Sequence, residues 1–306
     1  AEIRSVADVT TKSPEAYRSS LEGVELNNRF YAREATAAFK RAIELDSTFA
    51  MAYFWLANMN QSKISIGESD AALKRAFTLS NNITERERFS IQSAYASRIE
   101  KNTPHAMLIL QRLIDKYPHE QSAYSGLGDL YQNLAQFEKA IDTYKRGLQS
   151  DSLDKLLWNT LAYASAGLGR REAAFQAIDR YLQLAPAEAN PYDSKGDIYA
   201  MFDVADSAIV WWEKAIAFRA DFPSSEKLAL SVFLRPANVT AEKYYRQFAA
   251  SKLDEANLYN EGYPLYVLIR DGALEKARRR FLEALASHRM KKLQEWITKD
   301  LATITI

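Results

Sequence analysis

The chain has no cysteine among its 306 residues. Disulfide staples, thiolate metal centres and cysteine nucleophiles are excluded together, and the usual marker of redox compartment goes with them. Histidine is nearly as scarce. His105, His119 and His288 lie far apart, with no two at the spacing that puts a pair of ligands on one helix face. No metal and no cofactor is expected. Long apolar runs are missing too: residues 107–110, and 228–234 with Ser231 interrupting, fall far short of the roughly 20 that cross a bilayer. Nor does one sign of charge dominate. Forty basic against 39 acidic side chains leave a formal charge of +1, so no global field draws the chain to nucleic acid or membrane. The glycine pairs Gly126-Leu127-Gly128 and Gly167-Leu168-Gly169 complete no phosphate-binding loop, and no Gly-x-Ser-x-Gly elbow occurs. No catalytic residue is assigned, and the chain reads as a non-enzyme.

What is present is a repeat. Within 121–154, Tyr124, Leu127, Gly128 and Tyr131 follow one helical face at spacings of three and four. After a turn at 133–136, Ala140, Tyr144 and Gly147 follow another. Gly128 and Ala140 leave room for two helices to cross closely, while the tyrosines fill the space above and below the crossing. The pattern recurs in phase at 155–188, through Trp158, Leu161, Ala162, Ala174, Ile178, Tyr181 and Pro186. It recurs again at 189–222, through Tyr192, Gly196, Tyr199, Ala208, Trp212 and Ala215. Three successive units in one phase are not a chance arrangement.

The flanking sequence carries weaker copies. Ser13 and Pro14 read as the N-cap and first residue of a helix, opening a unit that contains Gly23, Ala35 and Phe39. A second unit follows through Tyr53, Leu56 and Ala57, then Ser69, Leu73 and Ala76 beyond a polar turn at 64–68. After Asn81-Asn82 the frame shifts by about three residues, and Ala94, Ala106, Leu110 and Pro118 restore it. Past Pro223 the pattern fades into a divergent hairpin split at Pro236, where a helix cannot continue. A last unit holds Gly272, Ala277, Phe281 and Ala284. A final helix over 289–298, with Leu293, Trp296 and Ile297 on one face, is expected to cap the stack.

These residues resemble the tetratricopeptide repeat, whose 34-residue signature sets Trp, Leu, Gly and Tyr on a first helix and Ala and Phe on a second, often ending in Pro. The resemblance covers roughly 16–291 and is strongest at 121–222. It implies an all-α, right-handed superhelical solenoid of about seven to eight helical hairpins with a C-terminal capping helix. One domain over 1–306 is expected, with clear repeats at 16–222, a divergent hairpin at 223–257, and a degenerate repeat and cap at 258–306. More narrowly, 21–59 together with 83–96 is similar to the repeat regions of bacterial signalling proteins that carry a kinase, cyclase or winged-helix regulator upstream. With no Met at position 1, that similarity implies the regulatory or sensor part of a larger bacterial protein, in the cytoplasm or the periplasm.

The resemblance also implies a site. In this family the first helix of each unit lines a concave face, and the side chains between the packing positions point into it. On this sequence those are Phe54, Trp55 and Asn58, then Tyr95 and Arg98, then Asp129 and Asn133, then Asn159 and Tyr163, then Asp193 and Asp197. Amides can bond a peptide backbone while aromatics stack on its side chains, so the expected partner is a protein or peptide, held as an extended segment or a helix. Relatives that grip chaperone C-terminal carboxylates carry Lys and Asn where Asp193 and Asp197 stand. The acidic end of the groove implies instead a ligand bearing Lys or Arg. Two other readings compete. One is an enzyme with a site in the groove. The other is a nucleic-acid adaptor using the strip at 276–292, where Arg278, Arg279, Arg280, Lys291 and Lys292 stand with few acids. The strip lacks interleaved aromatics and the chain is near neutral, so nucleic acid is not the expected partner. Oligomeric state is left open.

Overall fold

The computed structural model describes residues 11–59, 65–225, 227, 228 and 279. Within them the chain forms twelve α-helices and no strand. They pair in sequence as six hairpins: α1 (Pro14–Asn28) with α2 (Ala32–Leu45), α3 (Ala50–Ala57) with α4 (Ile66–Leu79), and α5 (Glu85–Arg98) with α6 (Thr103–Lys116). Next come α7 (Gln121–Asn133) with α8 (Phe137–Ser150), α9 (Lys155–Gly167) with α10 (Arg171–Leu184), and α11 (Asn190–Met201) with α12 (Ala205–Phe218). Nearly all of the hairpin expected at 223–257, and the repeat and cap expected at 258–306, lie outside the described residues. The chain divides into two compact units, 1–194 and 195–306, with the boundary inside α11. In the first unit each helix packs on the next along the chain, as in an all-α repeat solenoid whose hairpins bury their apolar faces on their neighbours.

Helix starts follow the local chemistry of the sequence. Ser13 accepts a hydrogen bond from the Ala16 N–H with Pro14 at the first helical position, fixing the entry to α1. Thr84 opens α5 with a reciprocal box, in which its hydroxyl caps Glu87 and the Glu87 carboxylate reaches back to the Thr84 N–H. Ser65 caps α4 through the Glu68 N–H, so Ile66, Gly67 and Glu68 belong to the helix and not to the turn expected at 64–68.

Hairpin turns share one backbone device that residue types do not announce. Phe30, Lys101, Ala135, Gly169 and Asp203 all have positive φ, between 55° and 73°. The last four stand 34 residues apart. After four of the five, the following N–H bonds back five residues into the helix: Tyr31 to Leu26, Gln136 to Tyr131, Arg170 to Ser165 and Val204 to Tyr199, at 2.9–3.0 Å. This satisfies the orphan carbonyls at the helix end and turns the chain sharply. Only one of the five is glycine.

Packing within each hairpin rests on a pair of residues 16 apart in sequence. In three hairpins the pair is a glycine and a ring: Gly23 with Phe39, Gly128 with Tyr144, and Gly196 with Trp212. A Cβ at Gly23 would lie 2.6 Å from the Phe39 ring, and one at Gly128 or Gly196 would sit closer still to its partner. In the other three the same places hold Ala57 with Leu73, Ala94 with Leu110, and Ala162 with Ile178. Glycine on the first helix thus faces a flat ring in three hairpins, and in the other three alanine stands where the glycine would and an aliphatic residue where the ring would, a match of bulk that suits a crossing filled to interior density.

The phase breaks once. Ser80–Asn82 form a single 3-10 turn between α4 and α5, and these three residues account for the frame shift. Across that seam the Phe77 and Tyr95 rings stack, with centroids 3.9 Å apart. Arg98 donates to the Ala57 carbonyl at 2.7 Å, to Ser69 and to Asp70, clasping the C-terminal end of α3, where a cation also complements the helix dipole.

Two outcomes follow for stability. Gly23→Ala destabilises the chain by about 1–3 kcal/mol while Phe39 is present. In a Phe39→Leu background the same change reverses sign, because the clash is gone and alanine is favoured over glycine in a helix by about 1 kcal/mol. A double-mutant cycle by urea unfolding reads both. Ala135→Gly raises stability by up to about 1 kcal/mol, since glycine occupies the left-handed region without strain.

Candidate functional site

First helices of the hairpins in unit 1 line a cavity of about 870 Å³. One wall is apolar: Met51, Phe54 and Trp55 of α3, with Val24 of α1 beside them. Trp55 is braced from behind by Phe39, stacked at 6.2 Å between centroids, and meets the edge of Phe54 at 5.5 Å. Between this wall and that of α7, α5 contributes the small side chains of Ser90, Ser93, Ala94 and Ser97, together with Arg86, Glu87 and Arg98. The far wall is α7, which presents Gln121, Ser125, Asp129 and Asn133 at intervals of four residues, with Ser122 beside them.

Most charged groups on these walls are committed. Arg86 pairs with Glu120 at 3.2 Å. Glu87 is held by its capping box, and Asp154 caps α9 by accepting the Leu156 and Leu157 N–H groups at 2.9 Å. Arg98 lines the cavity, but its donors serve the seam. Asp129 is different. Its Oδ1 accepts the Tyr144 hydroxyl at 2.6 Å, and among the described residues no basic side chain is paired with it. Nearby on the same helix, the Gln121 Oε1 is buried without a hydrogen-bond partner.

Asp129 is open to water yet lies in the concavity, with protein around most of its carboxyl. That withdrawal from solvent pushes its pKa above the ordinary 3.8, and the bond from Tyr144 opposes the shift without cancelling it. Burial and the adjacent Asp129 charge push the Tyr144 hydroxyl far upward, so it stays a donor. A second Gly-Asp pair is built alike within unit 2. Trp212 packs on Gly196 and donates its Nε1–H to the Asp197 Oδ1 at 2.9 Å, and there the Lys227 Nζ reaches both carboxylate oxygens at 2.7 Å.

Of the residues expected to face a ligand, the cavity brings together Phe54, Trp55, Asn58, Arg98, Asp129 and Asn133. It does not include Tyr95, which is stacked on Phe77. Asn159 is buried at 7% exposure, and its Oδ1 has no partner. Tyr163 is half-buried outside this cavity, and Asp193 is buried. Asp197 lies in unit 2 and is bonded to Trp212 and Lys227. Sequence reading missed the serines of α5 and the Gln121 and Ser125 rungs of α7. The recurrence of a polar residue at every fourth position of 121–133 was the available signal. No cluster of metal-ligating side chains occurs among the described residues. No helix among them is long and apolar enough to cross a membrane. Of the basic strip only Arg279 is described, and it is exposed.

The raised Asp129 pKa gives a pH signature. The folded state holds this proton more tightly than the unfolded chain, so the destabilisation is absent below pH 3.8 and complete above the folded pKa. Asp129→Asn keeps an oxygen acceptor for Tyr144. It raises the Tm at neutral pH, and the gain shrinks to nothing as pH falls toward 3.8 in calorimetric scans.

Residues 121–152 match the tetratricopeptide repeat family. A peroxisomal targeting signal receptor of Saccharomyces cerevisiae is 39% identical over 61 residues, covering 20% of this chain and 10% of the receptor. Its Kluyveromyces lactis counterpart is 37% identical over 62 residues, covering 20% and 11%. The match thus spans about a tenth of the length of these curated relatives. Among solved structures, MamA is 20% identical with a TM-score of 0.45, covering 53% of this chain and 95% of MamA. PilW, a type IV pilus biogenesis factor, is 17% identical with a TM-score of 0.47, covering 72% of this chain and 99% of PilW. The family match sits on α7 and α8, and the places of its glycine and ring recur 16 residues apart in the other five hairpins: residues 121–152 carry a tetratricopeptide repeat within an all-α repeat array.

Proposed function

We propose that unit 1 is a non-enzymatic protein-interaction scaffold that holds an extended peptide segment of its partner in the groove between α3 and α7. The observation that carries this reading is the groove's mixed lining: the rings and methionine of α3 lie on one side, a run of hydrogen-bonding groups on α7 interspersed with Leu130 on the other, and the serines of α5 with Arg86, Glu87 and Arg98 between them. An extended chain points successive side chains to opposite sides, so it presents one face to each wall while its backbone lies over the hydroxyls of α5. Serines there leave space for a backbone to approach. Most ionic groups in the groove are occupied in holding the scaffold, as suits recognition and not proton transfer. The targeting receptors matched over a tenth of their length lend support at the level of a protein partner. The resemblance of 21–59 and 83–96 to bacterial signalling proteins extends the proposal, with the scaffold as the regulatory part of a larger protein.

A peptide-display library selected on the whole chain tests the groove. Selected clones lose binding to Ser97→Trp, which fills the space over α5, and keep it on Leu153→Ser, an exposed position outside the cavity. Clones indifferent to Ser97→Trp would move the site elsewhere.

A further inference from the structure

Four side chains of α7, Gln121, Ser125, Asp129 and Asn133, recur at every fourth residue and all line the groove. Four residues of helix rise by about 6 Å. Two residues of an extended peptide advance by about 6.6 Å, so every second side chain of a bound strand meets a successive rung. The opposite wall, α3, receives the alternate side chains, and its Phe54 and Trp55 suit apolar ones. The occupant therefore has a period of two, apolar toward α3 and polar toward α7.

The central rung decides what kind of polar. Asp129 is an acceptor fixed by Tyr144, with no cation of its own among the described residues. The homologous arrangement in unit 2 shows what such an acceptor takes. Glycine beneath a ring, aspartate bonded to that ring's donor, and a lysine ammonium on the carboxylate are all present at Gly196, Trp212, Asp197 and Lys227. Unit 1 repeats the first two parts and lacks the third. Resting on the groove reading above, we propose that the partner supplies it: the ligand of unit 1 is an extended segment of alternating apolar and basic residues, whose Lys or Arg side chain sits on Asp129 while its apolar neighbours face Phe54 and Trp55. Charge assistance makes this the strongest single polar contact the groove offers, and a glutamate there meets an unpaired carboxylate.

Three fluorescein-labelled peptides of alternating Leu-Lys, Leu-Gln and Leu-Glu test it by anisotropy against the full chain. The Lys peptide binds about ten-fold tighter than the Gln peptide, and the Glu peptide binds weakest. Asp129→Asn removes the Lys peptide's advantage over the Gln peptide. Ser125→Lys, which places an ammonium one turn from Asp129 without touching the Tyr144 bond, has the same effect and controls for any loss of fold in the first variant. A Lys preference that survives both substitutions overturns the inference, and so does failure of all three peptides to bind. The groove reading is judged separately. If Ser97→Trp abolishes binding of every peptide that binds, the groove stands whatever the charge preference. If it abolishes none, the groove reading falls and this inference falls with it.

Discussion

Close approach of two helices in each hairpin is the constraint on which the rest of the structure depends. It is met by matching bulk across the crossing, with glycine against a ring in three hairpins and alanine and an aliphatic residue in the same places in the other three. Because Phe39 and Tyr144 are fully buried, the crossings are fixed by shape and cannot relax to admit extra atoms. Fixed crossings present the first helices to one groove. At Gly128 the crossing does more, since the ring beneath the glycine carries a hydroxyl that fixes the next residue, Asp129. Packing and the placement of an acceptor on the groove wall are thus coupled through a single tyrosine.

The sequence made the repeats legible because glycine, alanine and aromatic residues at fixed intervals have few other uses in a helix. The repeat positions, the Ser13 cap and the three-residue frame shift could be seen there, but not that the Tyr144 ring lies directly against Gly128 instead of above or below a Gly128–Ala140 crossing. The left-handed turns could not. Phe30, Lys101, Ala135 and Asp203 are held at positive φ by hydrogen bonding to the preceding helix, and nothing in their chemistry asks for it.

The cavity takes in the residues expected on α3 and α7, and of those expected on α5 it takes in Arg98 but not Tyr95. The entry of α5 is set by the Thr84 and Glu87 box just after the extra turn at Ser80–Asn82. The groove face of α5 is accordingly Ser90, Ala94 and Ser97, one step round from the positions that repeat counting gives. Tyr95 goes to the seam, and Arg98 serves the groove wall and the seam together. Asn159 and Asp193 are buried for a plainer reason. A polar side chain on a first helix can satisfy counting and still be buried among its neighbours, which only packing decides.

The seam itself divides the groove. Its apolar wall, α3, precedes the three extra residues, and its polar wall, α7, follows them, with the Arg98 clasp reaching across. In an array whose hairpins touch mainly their neighbours, a break in phase is where blocks with different histories can be joined without disturbing either interior. The apolar and polar walls of the groove therefore belong to blocks on opposite sides of the extra turn, so the block before Ser80 can be exchanged without disturbing the interior that positions Asp129.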